Sequence, residues 1–250
     1  MCIRDRLKLI RLGDTKDRPR ITQDDTRLGF EVDYDRIIFS SAFRSLQDKT
    51  QIIPFSKTDF VHTRLTHSLE VSVVGRSLGR MAGKNILQKY PDLKDNLGYQ
   101  INDFGAIVAA ASLAHDIGNP PFGHSGEKAI GHYFSHGKGS HYKNQLTDKQ
   151  YQDLCQFEGN ANGFKTLSQS KPGTPGGLRL SYATLGAFIK YPKSSLPYRP
   201  TSHVAHKKFG YFQAQEPFFK ELITELNLND KKMVNRHPLA YLVEAADDIC

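Results

Sequence analysis

The sequence predicts an all-α fold with irregular loops and little or no sheet, on three observations. Apolar residues recur at helical spacing over most of the 250 residues, and the alternation of β-branched residues that marks a half-buried strand is nearly absent. The longest Gly- and Pro-rich interruptions gather between residues 168 and 215. With 38% hydrophobic and 10% aromatic residues the chain can bury a sizeable core, as one large domain or two small ones, and is not wholly disordered.

Each helix has its own local warrant. Over 33–46, Ile37, Ile38, Phe39, Ala42, Phe43 and Leu46 make one apolar face. Over 66–89 the chain shows Leu69, Val73, Val74, Leu78, Met81 and Leu87, and Pro91 supplies a stop just beyond. From Asn102 the run Phe104-Gly-Ala-Ile-Val-Ala-Ala-Ala-Ser-Leu-Ala114 is apolar all round, which suits the centre of a bundle. Gly118 is a fitting cap for it, so His115 and Asp116 fall in its last turn. Helices over 125–134 and 149–167 follow, joined through Gly137-Lys-Gly-Ser140. Loops at 171–177 and 191–200 flank a short helix over 182–189. A last helix enters through His237-Pro238 and runs to Cys250, where the sequence stops with no cap. Residues 1–20 are expected to form a poorly ordered segment and residues 21–250 one domain, cut short at its C-terminal end.

Charge and cysteine content narrow the function classes. Cys2, Cys155 and Cys250 are too few and too scattered for a disulfide framework or a thiolate zinc site, so a reducing, cytoplasmic setting is expected. The N-terminus lacks the apolar core of a signal peptide, and the longest apolar run is too short for a bilayer, so no membrane association is expected. The net charge is +8, and residues 161–220 alone hold nine Lys or Arg against the single acid Glu216. Interleaved with Tyr and Phe, that stretch suits a polyanion: a nucleoside triphosphate, or the backbone of single-stranded DNA.

Four elements carry the chemistry: His67, the pair His115-Asp116, His124 with Glu127, and Asp247-Asp248. A carboxylate on a helix with no polar face must be paired or metal-bound, which singles out Asp116. Imidazoles and carboxylates without thiolate suit Mn²⁺, Mg²⁺, Fe²⁺ or Co²⁺, with Zn²⁺ also compatible. His124 and Glu127, three apart, share a helix face as a pair for acid–base work, the carboxylate orienting the imidazole. On the last helix, Leu239, Leu242, Val243, Ala246 and Ile249 define the buried face; Asp247 flanks it and Asp248 lies nearly opposite, so Asp247 is the better ligand.

The segments 33–44, 46–51, 64–71, 157–162 and 241–250, and above all Ala114-His-Asp-Ile-Gly-Asn-Pro-Pro-Phe-Gly-His-Ser-Gly-Glu127, give the sequence a clear likeness. It resembles the HD-domain deoxynucleotide triphosphohydrolases, most closely the dGTP triphosphohydrolases, over nearly all of the chain after about residue 20. The resemblance implies an HD-type helical fold and a metal site of His67, His115, Asp116 and Asp247, with Asp248 second because the family motif has both. It implies His124 and Glu127 as the catalytic pair, Arg64 at the α-phosphate, Gln47 by the sugar 3′-hydroxyl, and a phosphate role for Asn119. Glu158 and Asn160 match a family motif without an assigned role. The implied reaction is metal-dependent hydrolysis of a dNTP, dGTP favoured, to deoxynucleoside and triphosphate, in a homo-oligomer. Two rivals share the residues: another HD-domain nucleotide phosphohydrolase, and a single-stranded nucleic-acid-binding protein with a regulatory HD site.

Overall fold

The computed structural model describes residues 3–16, 23, 26, 29–51, 61–170, 177–229 and 233–250. Among them there is no strand, only isolated bridges such as Arg11 with Ser181, so the all-α expectation holds. The α-helices are α1 (Glu31–Ile38), α2 (Ser41–Arg44), α3 (Arg64–Lys89), α4 (Asp92–Asp95), α5 (Ile101–Ala114), α6 (Gly123–Ser135), α7 (Asp148–Cys155), α8 (Gly159–Ser168), α9 (Tyr182–Phe188), α10 (Glu216–Glu225) and α11 (Ala240–Ile249). Most of the 171–177 loop read from the sequence lies outside the described residues.

The core is built on α5, whose Phe104, Ile107, Val108, Ala110, Leu113 and Ala114 are fully buried. The long helix α3 packs along it through glycines: a Cβ on Gly79 would stand 2.6 Å from the backbone oxygen of Phe104. Only a hydrogen at that position lets the two backbones approach so closely. Thr63 caps α3, its side chain accepting from the Thr66 N–H, so the helix begins at Arg64 and carries Arg64 and His67 together in its first turn. α11 crosses α3 and α5 and completes the floor on which the site stands.

Three local expectations are corrected and one helix is added. The helix over 33–46 is two, because Ser40 adopts an extended conformation and caps α2 by accepting from the Phe43 N–H. The helix over 149–167 is also two, α7 and α8, separated at Glu158, whose backbone is extended. α5 ends at Ala114, so His115 and Asp116 sit in the turn just after it instead of in its last turn. α10, unread in the sequence, buries Phe219, Leu222 and Ile223.

Residues 3–16 also depart from expectation. Leu7 and Leu9 are buried in the core, and the backbone oxygens of Lys8 and Ile10 accept from the N–H groups of Ala183 and Tyr182. The buried Asp33 carboxylate ties this segment to α9: it pairs with Arg11 and accepts from Ser181 and, at 2.7 Å, from the Thr184 hydroxyl. The N-terminal stretch read as poorly ordered is thus part of the domain where it is described, because its leucines fill a cleft that charge-rich sequence does not announce. The boundary after residue 20 lies outside the described residues.

Candidate metal and phosphate site

Three helix ends converge on one cavity of about 430 Å³: the first turn of α3, the turn after α5, and the last turns of α11. His67 and Asp116 are both 4% exposed, so neither can satisfy its polar atoms with bulk water. Asp247 Oδ1 lies 3.0 Å from His67 Nε2 and 3.5 Å from His115 Nε2, and Asp116 Oδ1 lies 3.6 Å from His115 Nε2. His115 Nδ1 donates to the backbone oxygen of Ser112 at 2.7 Å, which fixes the tautomer and leaves Nε2 facing the carboxylates. Asp248 is exposed on the far side of α11, as the helical geometry expects.

The donors fit a divalent cation. One ring nitrogen each of His67 and His115 and one oxygen of Asp116 lie within 4.8 Å of one another, and Asp247 stands against both histidines. His67 also neighbours His62 and Glu70, but Glu70 is exposed, whereas the other trio is enclosed by α3, α5 and α11. Electrostatics follow the crowding. Burial would raise the Asp247 carboxyl, yet hydrogen bonds from His115 and His67 hold it far below the usual carboxylate range. His115 is raised in spite of its burial, by Asp116 and by Asp247.

Around these candidate metal ligands lie most of the other expected residues, and one lies elsewhere. Arg64 Nη1 donates to Asp116 Oδ2 at 2.8 Å; Asn119 donates from its side chain to the other oxygen and accepts from Lys49 Nζ at 2.7 Å through its backbone. Arg64, Asn119, His124 and Glu127 all line the cavity. Gln47 does not: it is exposed on the 3-10 turn Ser45–Asp48, its side chain 3.5 Å from the Thr63 hydroxyl. The chain becomes extended at Lys49, and Gln51, two residues beyond, lines the cavity in its place, its side-chain oxygen buried without a hydrogen-bond partner among the described residues. Gln51 N–H donates to the His62 oxygen, a contact across chain that sequence spacing does not reveal.

The pair His124 and Glu127 shares the cavity, but Glu127 is held by other groups. Its Oε1 accepts from the Gly159 N–H at 2.8 Å, at the start of α8, and its Oε2 faces Lys208 Nζ at 3.6 Å. The expected hydrogen bond to His124 is not among its contacts in the described residues, because a helix N-terminus and a cation claim the carboxylate first. Glu158, 6% exposed, accepts from Lys208 at 2.8 Å and from Asn160 at 2.8 Å, so the two motif residues are placed beside Glu127. Burial raises the Glu158 carboxyl. Close packing fixes this wall: a Cβ on Gly118 would stand 1.9 Å from the Gly159 oxygen. Lys190 and Lys207 also reach the cavity, so a cluster of cations stands beside the Asp116 and Asp247 carboxylates.

The HD domain family model matches residues 64–154, the stretch from Arg64 through α7 that carries His67, His115, Asp116, His124 and Glu127. Over 228 residues the chain is 47% identical to a deoxyguanosinetriphosphate triphosphohydrolase-like protein of Pseudomonas aeruginosa, covering 90% of this chain and 50% of that protein. A like-named protein of Synechocystis is 46% identical over 237 residues, covering 90% of this chain and 52% of its own length. The deoxyguanosinetriphosphate triphosphohydrolase of Yersinia enterocolitica is 39% identical over 251 residues, covering 88% and 47% respectively. The chain spans about half the length of the curated relatives it matches.

Proposed function

We propose that this chain, whose residues 64–154 carry an HD domain, hydrolyses a deoxynucleoside triphosphate, dGTP favoured, to the deoxynucleoside and inorganic triphosphate. The observation that carries the reading is the meeting of His67 with His115, Asp116 and Asp247, the last three of which line the cavity that also holds Arg64, Lys190, Lys207 and Lys208. A site for a hard or borderline cation beside a cluster of ammonium groups is what a nucleotide's phosphate chain requires. The names of the relatives support the choice of substrate.

His67, His115, Asp116 and Asp247 would hold the divalent ion, Mn²⁺ or Mg²⁺ favoured. Bound there, it would supply Lewis-acid stabilisation of charge on the phosphoryl oxygens. The chain's own groups do the rest. Arg64, already desolvated, directs guanidinium donors at the same region, and Lys190, Lys207 and Lys208 neutralise the β and γ phosphates. Water adds to the α-phosphorus and the P–O5′ bond breaks; His124 transfers a proton, so that the deoxynucleoside leaves as its 5′-alcohol and triphosphate remains intact. Glu127, oriented by Gly159 N–H, holds negative charge next to that histidine.

The test is a panel of dNTPs with Mn²⁺ or Mg²⁺, products resolved by anion exchange, alongside Mn²⁺ titration calorimetry. His115→Ala is expected to lose metal binding and triphosphate release together, and His124→Ala to lose release with metal retained. Unchanged release in either variant defeats the assignment, and pyrophosphate or phosphate as the product supports a different HD-domain hydrolase.

A further inference from the structure

A second cavity, also of about 430 Å³, opens beside the first and shares with it only His124, Glu127, Lys207 and Lys208. Its remaining walls come from the outer face of α6, the link from α7 to α8, and the loop 193–209. Five cationic side chains line it, Lys128, Lys193, Arg199, Lys207 and Lys208, against two carboxylates, Glu127 and Glu158, both of which Lys208 already faces. Among the described residues, none of Lys128, Lys193, Arg199 and Lys207 has a carboxylate within ion-pair distance.

Lys193 is the telling member. Its ammonium is half-buried and, among the described residues, donates only to the backbone oxygen of Ser194, and burial pushes its pKa down. His206, buried on the same wall, is likewise pushed down by burial and then by His203 and Lys193. A desolvated cation without a counter-ion is costly in the folded chain. Lys193 is the one half-buried member of the unpaired set, and the exposed Lys128, Arg199 and Lys207 share its wall, where Arg199 Nε donates to the Lys207 oxygen at 3.2 Å and Gly210 N–H donates to the Lys193 oxygen at 3.0 Å. Low-dielectric walls of one sign concentrate the field inside the cavity, and an anion of several charges gains most from it.

We infer that this side cavity binds a free oligophosphate, of which inorganic triphosphate is the simplest. A compact chain of phosphates fits the observations better than a nucleic acid, because among the Phe and Tyr residues lining the cavity Tyr198 alone is exposed, its ring 5.4 Å under the Arg199 guanidinium, and the exposed His132 and His136 rings stack on each other at 5.1 Å. Successive bases need a row of stacking platforms along an open groove. The inference concerns binding and stands apart from the proposed reaction; where that reaction operates, its product is of the right chemical class.

Titration calorimetry of the whole chain with sodium triphosphate, without divalent metal, tests it. The double variant Lys193→Gln/Arg199→Gln, whose residues line the side cavity and not the catalytic one, is expected to bind triphosphate at least tenfold more weakly, with dNTP turnover unchanged. Lys128→Gln, on the exposed face of α6, is expected to weaken binding in the same direction without risk to the fold. Affinity unchanged in both variants overturns the inference. So does oligothymidylate that binds more tightly than triphosphate and is lost in the double variant, which makes the wall a nucleic-acid surface. A chain without dNTP turnover that still binds triphosphate through Lys193 and Arg199 defeats the proposed reaction and leaves this site standing.

Discussion

Lowering the pH from 7 to 5 is expected to weaken the folded chain by about 2 kcal/mol through one histidine remote from the site. His237 is 1% exposed; its Nε2 donates to the Arg6 oxygen at 2.9 Å and its Nδ1 accepts from the Leu239 N–H at 3.2 Å. Both ring nitrogens are thereby committed in the neutral form, and a second proton would face the Leu239 N–H. Burial, joined by the nearby Arg6 charge and opposed by the Arg6 carbonyl, lowers its pKa from 6.5 to about 4. Because the folded value is depressed, the stabilisation is complete above the unfolded pKa. Below about pH 6.5 the unfolded chain takes up a proton that the folded chain refuses, so stability falls until about pH 4 and then levels off. At 1.36 kcal/mol per pH unit of separation the full effect is about 3 kcal/mol, of which about 2 is lost by pH 5. Urea unfolding of the natural chain and His237→Gln, measured at pH 7, 6 and 5, isolates the effect from other titrating groups. The gap between the two free energies is expected to close by about 2 kcal/mol as pH falls. Curves that stay parallel over that range refute the reasoning.

Two further perturbations test the fold that carries the site. Gly79→Ala forces a methyl against the Phe104 backbone oxygen where α3 meets α5, and is expected to cost about 1–3 kcal/mol in denaturant unfolding. Asp33→Ala leaves the Arg11 guanidinium buried without its carboxylate and strips acceptors from Ser181 and Thr184, an expected loss of about 3–5 kcal/mol. Faster proteolysis within residues 3–16 is expected to accompany it, since Arg11 is one of the ties between that segment and α1.

Much of this molecule is written locally. Helical spacing in 102–114 marks the central helix, and it is central in the structure because a segment without a polar face has nowhere else to go. The same logic, applied at 100° per residue, chose Asp247 over Asp248, and α11 places Asp247 against His67. Where the reading of 33–46 erred, a side-chain cap had overruled the apolar pattern. The apolar pattern over 33–46 runs through Ser40, whose hydroxyl both donates to the Ile37 oxygen and accepts from Phe43, and a periodicity count does not register that turn.

The sequence by itself determined the helical class, the order of the main helices and which residues to consider as candidate cation ligands, because each rests on spacing within a turn or two or on a motif short enough to survive as a string. The tertiary structure decided what those strings meet. It set Gln51 and not Gln47 at the cavity, drew Glu127 to the Gly159 N–H and Lys208, docked Leu7 and Leu9 in the core, and gathered Lys128, Lys193 and Arg199 around a second cavity. Those outcomes depend on burial and charge compensation between segments tens to hundreds of residues apart, and such energies have no expression until the chain has closed on itself.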